Sequence, residues 1–275
     1  MGNYFKRVVL GHIRERYLRR GVMNPYVESL YAMSNRAMWD LDWRSWSSRR
    51  RLQEISGSHV GKKAVVLCNG PSLNRVDFDL LDGVFTFGLN KINLMFDRSD
   101  FRPSCVVSVN KLVIEQNKEF FSATDMPLFI DSAARNTIPY RNNVVFLHST
   151  AQANKVAADC SMSIVQGYTV TAVALQLALH MGFGEVALVG CDHSFATKGP
   201  ANKAVAGVGS DPNHFDERYF SNVTWQLPDL VGSEFYYSRL AQAFADRGRR
   251  IVNATEGGEL ELFERQPLNE FIGQK

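Results

Sequence analysis

The sequence predicts an α/β fold, a mostly parallel sheet flanked by helices, with a helical appendage at the N-terminus. Three observations lead there. From Lys62 onward, short apolar runs alternate with helical patterns, the rhythm of strand–helix–strand units. Most of those runs end in a small polar residue, as strands do where they open into ligand-facing loops. Residues 1–58 differ in kind: they hold eleven Lys and Arg against five Asp and Glu, while the whole chain has a net charge of +3. Two parts follow, a basic amphipathic helical segment at 1–58 and a Rossmann-like domain at 59–275.

In the first part Phe5, Val9, Ile13 and Tyr17 recur every four residues, with Arg14, Arg16, Arg19 and Arg20 off that line. That is one apolar helical stripe with a basic flank. A second helical piece, 35–51, carries Trp39, Trp43 and Trp46 beside Arg44, Arg49, Arg50 and Arg51. Such helices pack on the parent domain or on another subunit, or lie on an anionic membrane surface. In the second part the strand candidates are 64–68, 84–89, 105–109, 127–130, 144–147, 186–189 and 250–252. Helical patterns intervene at 112–121, 169–181 and 234–247. The stretch 197–212, rich in Gly, Ala and Ser and following a strand end, reads as a mobile loop able to act as a lid.

Composition narrows the function. With 45% apolar and 21% charged residues, the chain suits a soluble globular protein with a full core. Cys68, Cys105, Cys160 and Cys191 are widely spaced, with no CxxC pair, and read as buried thiols of a reducing compartment. No apolar run has the length of a membrane span and no secretory pattern opens the chain. The expected location is cytoplasmic, or peripheral at the inner face of the cell membrane through residues 1–58. Because the basic character is local, a nucleic-acid surface is not expected. Neither GxxxxGK(S/T) nor GxGxxG is present, which speaks against a P-loop NTPase and a dinucleotide enzyme, and no DxD or HExxH marks a metal site.

The strand ends carry the chemistry. The first run ends in Asn69-Gly70-Pro71-Ser72, the next two in Asn90 and Asn110, and later ones in His148, in Gly190-Cys191-Asp192-His193 and in Asn253. In a parallel sheet these ends share one edge. Asn is a poor strand residue and a common turn residue, and its amide suits a base, a ribose or a sugar hydroxyl. Thr169 and Thr171, just after Gly167, open a helix whose N-terminus favours phosphate. Asp192 is a carboxylate at the end of a buried strand, costly unless paired or used. His193 adjoins it, with Ser194 next. His214 stands in the polar stretch 211–216, placed to fold over the strand ends as an acid or base.

These residues resemble a known family. The runs Cys-Asn-Gly-Pro-Ser-Leu at 68–73, Phe-Gly-Leu-Asn-Lys at 87–91 and Asn-Lys-Leu-Val-Ile-Glu-Gln at 110–116 carry the likeness. So do Tyr-Thr-Val-Thr-Ala-Val-Ala-Leu-Gln at 168–176, Gly-Cys-Asp-His-Ser at 190–194, Asn-His-Phe at 213–215 and Asn-Ala-Thr at 253–255. Over roughly 55–265 they resemble the family named after the archaeal 6-hydroxymethylpterin diphosphokinase, which includes motility accessory factor proteins thought to glycosylate flagellin. More distantly they are similar to bacterial sialyltransferases that use CMP-sialic acid. That second likeness implies that Asn69, Gly70, Ser72, Asn90 and Asn110 contact CMP and its phosphate; Pro71, in the same turn, joins them as a candidate nucleotide-binding residue. Thr169 or Thr171 would stand near the cytosine or phosphate, with His193 and Ser194 beside the donor. Where the sialyltransferases have an arginine before the helix, Gln166 stands nearby, and Ser194 and Phe195 replace their phosphate-holding tyrosines.

The leading expectation is a glycosyltransferase that moves a nonulosonic-acid-like or related sugar from a CMP-activated donor to a polysaccharide, lipid-linked or protein acceptor. It would need no cofactor, with His214 and Asp192 catalytic and residues 59–275 the nucleotide-binding domain. The alternative is a Mg²⁺-dependent diphosphokinase passing pyrophosphate from ATP to a hydroxymethylpterin-like acceptor, with Asp192 the first candidate to hold the metal.

Overall fold

The computed structural model describes residues 24–150, 155–157 and 159–273. Contacts divide the chain into two compact units, 1–49 and 50–275. The stripe of Phe5, Val9, Ile13 and Tyr17 lies outside the described residues. Helix α1 (Pro25–Asp40) starts where Asn24 accepts from the amides of Tyr26 and Val27, with Pro25 in the first turn, where its missing N–H costs nothing. Helix α2 (Trp43–Ile55) follows, its entry fixed by Asp42, whose carboxylate accepts from the Arg44 amide at 3.0 Å. The helical piece expected at 35–51 is therefore the end of one helix and most of the next. No helix among the described residues is long and apolar enough to cross a membrane.

The second unit is built on an eight-stranded sheet in which every pairing is parallel. In chain order its first part is β1 (Lys63–Leu67), β2 (Phe85–Leu89), β3 (Cys105–Ser108), α3 (Lys111–Gln116), α4 (Lys118–Ala123), β4 (Leu128–Asp131) and β5 (Val144–Leu147). The two-residue strands β6 (Ser149–Thr150) and β7 (Ile164–Val165) pair with each other, ahead of α5 (Val170–Met181) and β8 (Glu185–Val189). Then come β9 (Ala204–Ala206), β10 (Thr224–Gln226), α6 (Leu230–Ala245), β11 (Arg250–Asn253), β12 (Glu264–Arg265) and α7 (Leu268–Ile272). The spatial order is β12-β11-β8-β1-β2-β3-β4-β5. From β1 the chain steps toward β5, whereas from β8 it steps toward β12. The loops leaving the carboxyl ends of these two neighbours diverge, opening the crevice in which ligands of open α/β sheets bind.

Every strand expected from the sequence is present within a residue or two. The strand added to the eight-stranded sheet, β12, is two exposed residues with no apolar pattern to reveal it. The helix expected at 112–121 is two, because Asn117 (φ −118°, ψ 20°) leaves helical geometry and sends its side-chain amide to Asn93. Helix α6 starts earlier than its apolar pattern, since Asp229 accepts from the Gly232 amide and caps it there. The expected loop at 197–212 contains β9, paired antiparallel with β10.

Burial explains the arrangement. Val65, Val66 and Leu67 are fully buried, as a strand covered on both faces requires, and each such side chain contributes roughly 1.5–3 kcal/mol. Helix α5 is apolar nearly all round and packs against β1, β2, β3 and α6. Its fully buried Gln176 is fully used: Oε1 accepts from the amides of Ala157 and Val165, and Nε2 donates to the carbonyls of Val165 and Ala172. All four cysteines are buried free thiols, as the sequence leads one to expect.

Candidate active site

A cavity of about 400 Å³ opens at the carboxyl ends of β1, β2, β3 and β8. Its floor is the β1–β8 junction. Beyond the strands the two chains stay joined, with the Cys68 amide donating to the Val189 carbonyl and the Gly70 amide to the Gly190 carbonyl, each at 2.9 Å. The Asp192 carboxylate then reaches across, accepting from the Ser72 hydroxyl at 2.6 Å and from the Ser72 amide at 3.2 Å. A Cβ at Gly70 would lie 2.0 Å from Asp192 Oδ2, so only glycine lets the carboxylate in. From the other side the Glu259 amide donates to the Asp192 carbonyl at 2.7 Å. The turn that reads as a phosphate cradle therefore gives its donors to the chain's own carboxylate. Pro71 and Ser72 lie outside the cavity lining, and Ser72 is buried.

The four strand-end asparagines do different work. Asn110 caps α3, accepting from the amides of Leu112 and Val113. Asn90 adopts a left-handed φ of 50° and accepts from the Ser108 hydroxyl at 3.1 Å. Asn253 is buried outside the lining, donating to the Leu260 carbonyl and accepting from the Thr255 amide. Turn and cap chemistry accounts for all three. Asn69 is the exception: it lines the cavity, and its buried Oδ1 has no hydrogen-bond partner among the described residues. An unmatched buried acceptor costs about 1–3 kcal/mol.

The start of α5 forms one wall. Gly167 (φ 57°) and Tyr168 (φ 66°) turn the chain into Thr169, whose hydroxyl accepts from the Thr171 amide at 3.3 Å. His193, with φ 54°, pairs through Nε2 with Glu234 at 3.0 Å, and Ser194 follows it along the rim.

The opposite wall is the loop that follows β9. His214 Nδ1 lies 2.8 Å from Asp211 Oδ2, and Asp211 also accepts from the amides of Asn213 and Phe220. Burial pushes the Asp211 carboxyl up, but the His214 hydrogen bond, its charge and the two amides together hold it below the usual carboxylate range. A carboxylate at Nδ1 keeps the proton there and leaves Nε2 with a lone pair, the tautomer a general base needs. The imidazole is clamped flat on Tyr219, 4.0 Å between centroids and 1° apart, with Phe220 edge-on at 4.9 Å. Trp225, from β10, stacks on Phe220 at 5.0 Å. Lys91 anchors the far side, donating to the Tyr219 carbonyl at 2.5 Å. Burial lowers its ammonium to about 8 against a partial upward pull from Asp211. The Phe215 amide and the Asn74 side chain sew this loop onto the β1 turn, bonding the Asn69 and Phe215 carbonyls respectively.

The matched stretch of a family model now joins the geometry. The model for 6-hydroxymethylpterin diphosphokinase MptE-like proteins matches residues 44–198, more than half of the chain. This chain belongs to that family. The MptE-like match takes in Asn69, Asn90, Asn110, Thr169 and Asp192 and ends before His214. Among solved structures, a MAf glycosyltransferase from Magnetospirillum magneticum AMB-1 is similar at a TM-score of 0.49 and 13% identity. The likeness covers 90% of this chain and 43% of that one, so this chain spans less than half of its length. No curated protein matches the sequence.

Of the residues picked from the sequence, the cavity gathers Asn69, Gly70, Asn90, Asn110, Thr169, Thr171, Asp192, His193, Ser194 and His214. The pairing of Asp211 with His214, and the support from Tyr219 and Lys91, are not read from the sequence. The Asp-x-x-His spacing was the available signal for the first; the turn of the loop that brings Tyr219 back, and the reach of Lys91 from the end of β2, left none for the others. Among the described residues the lining holds the carboxylates Asp192 and Asp229, the histidines His193 and His214, and no Lys or Arg.

Proposed function

We propose that this protein is a glycosyltransferase. It moves a nonulosonic-acid-like or related sugar from a CMP-activated donor to a hydroxyl of a polysaccharide, lipid-linked or protein acceptor. The observation that carries this is the His214–Asp211 pair, 2.8 Å apart, held in a cavity whose described lining has no cationic side chain. A sugar joined through one phosphodiester needs little positive charge, and the N-terminus of α5, worth about half an elementary charge, supplies it. His214 Nε2 takes the proton of the acceptor hydroxyl as that oxygen bonds the anomeric carbon. The bond from that carbon to the phosphate oxygen breaks, and CMP leaves with the electron pair. Asn69 Oδ1 offers an acceptor for a hydroxyl or amino group of the donor.

The family's description favours a second reading, Mg²⁺-dependent diphosphokinase chemistry on ATP. The carboxylates do not fit that metal. Asp192 is held by Ser72, Asp211 by His214, and Asp216 by Arg218 at 2.9 Å with Arg98 behind it. No group of three metal-ligating side chains stands together among the described residues. Titration calorimetry with CMP, CDP and ATP, with and without EDTA, separates the two. CMP binding that survives EDTA is expected; tight ATP binding that needs Mg²⁺, with no response to CMP, overturns the proposal.

A further inference from the structure

The first unit presents an apolar face that the nucleotide chemistry does not use. On α1, Tyr26, Leu30, Met33 and Ala37 are all exposed and fall within about 60° of arc at helical spacing. Tyr26 is 79% and Met33 68% exposed, far beyond what a scattered surface apolar residue needs. Leu41 and Trp46, in the turn after α1 and in the first turn of α2, are also exposed, at 75% and 62%.

The charges beside this face are neutralised within the unit. Arg36 and Arg49 both pair with Asp40, and Arg44 pairs with Asp42 at 2.7 Å. The Trp46 indole N–H donates to the Asp40 carbonyl at 2.8 Å, so its ring enters an apolar phase without leaving a donor unmet. Residues 1–23, continuous with α1 in sequence, add six Lys and Arg against a single Glu. Apolar and aromatic side chains on one line, neutralised polar flanks and an adjoining basic run are what an interfacial helix combines. Charge complementarity selects among apolar partners: a surface carrying negative charge.

We propose that the first unit docks on the anionic phospholipid surface of a bilayer through the α1 face of Tyr26, Leu30 and Met33, with the exposed Trp46 of α2 as a further apolar contact. This does not depend on the donor or on the reaction. It is tested by floating the full chain with phosphatidylcholine vesicles with and without phosphatidylglycerol, and by quenching its tryptophan emission with brominated lipid. The expected result is flotation with phosphatidylglycerol vesicles that weakens as salt rises, with emission quenched. The double substitution Leu30→Glu with Met33→Glu lowers binding by about ten-fold or more, because each buried apolar side chain is worth at least that factor. Unchanged circular dichroism shows that the variant folds, and if it does not, the quenching of the unaltered protein decides. Absence of flotation, flotation without quenching, or equal binding by the folded variant overturns the proposal. So does a dimer in light scattering that the same substitutions split while vesicles are ignored, which assigns the face to a second copy.

Discussion

The two walls of the cavity are made by opposite means. The β1 turn is locked by backbone: Gly70 has no room for a Cβ, and Asp192 takes both the amide and hydroxyl of Ser72. The wall bearing His214 is locked by side chains, with Tyr219 against one face of the imidazole, Asp211 on Nδ1 and Lys91 behind. A backbone lock tolerates no change of shape and offers few free groups. A side-chain lock leaves one atom of its central residue, Nε2, to act. The first wall is thus the frame, and the second holds the reactive group.

The largest test of that division is His214→Ala. Removing a general base lowers turnover by about 10²–10⁴-fold, while CMP binding measured by calorimetry stays within about two-fold. A variant that loses affinity and keeps its turnover would move the chemistry to the first wall. Next is Asp211→Asn, which can hold the imidazole in the wrong tautomer; turnover falls on the order of ten-fold or more. It also changes acid stability. The folded Asp211 carboxyl lies below its ordinary value of about 3.9, so its contribution is complete above that value and is lost as pH falls through the lower folded one. Denaturant titrations from pH 7 to pH 3 should show this acid slope in the parent and a flatter one in the variant.

Lys91 carries the same sign in a more alkaline window and tests the support of the same wall. Its folded value is about 8, against about 10.4 for a free lysine, so between those values the unfolded chain binds more protons. Stability therefore rises with pH across that window, and Lys91→Met should abolish the rise. An unchanged alkaline slope in the variant would mean that another group titrates there.

How much of this was legible follows the same contrast. The strands, the crevice and the punctuation of the β1 turn were readable, because buried parallel strands write continuous apolar runs and Gly and Pro break them locally. The two-residue strand β12 wrote no run. Neither did the α3–α4 break, which turns on one Asn117. At the site, residue types marked the edge correctly but not their allegiances. Ser72 and Asp192 look like two ligand contacts in sequence and are one internal bond in the fold. Tyr219, five residues on, meets His214 through the turn of the loop, and Lys91, from the end of β2, reaches Tyr219 only through tertiary packing that no local spacing records.

Gly70→Ala probes the frame directly. With a Cβ 2.0 Å from Asp192 Oδ2, the carboxylate must leave Ser72, at a cost of about 1–3 kcal/mol. Thermal unfolding reads the loss, and a variant as stable as the parent would mean that the turn is not locked. The smallest effects divide the asparagines. Asn110→Ala removes a helix cap, so about 1 kcal/mol of stability goes while nucleotide affinity holds. Asn69→Ala removes an acceptor with no partner among the described residues, so stability holds or rises while donor affinity falls. The two substitutions delete the same group from corresponding strand ends of one edge. If both cost stability alone, the asparagines of this edge are turn residues throughout and the cavity reads its donor through other atoms. If they part as expected, Asn69 is the one strand-end amide kept open for the ligand.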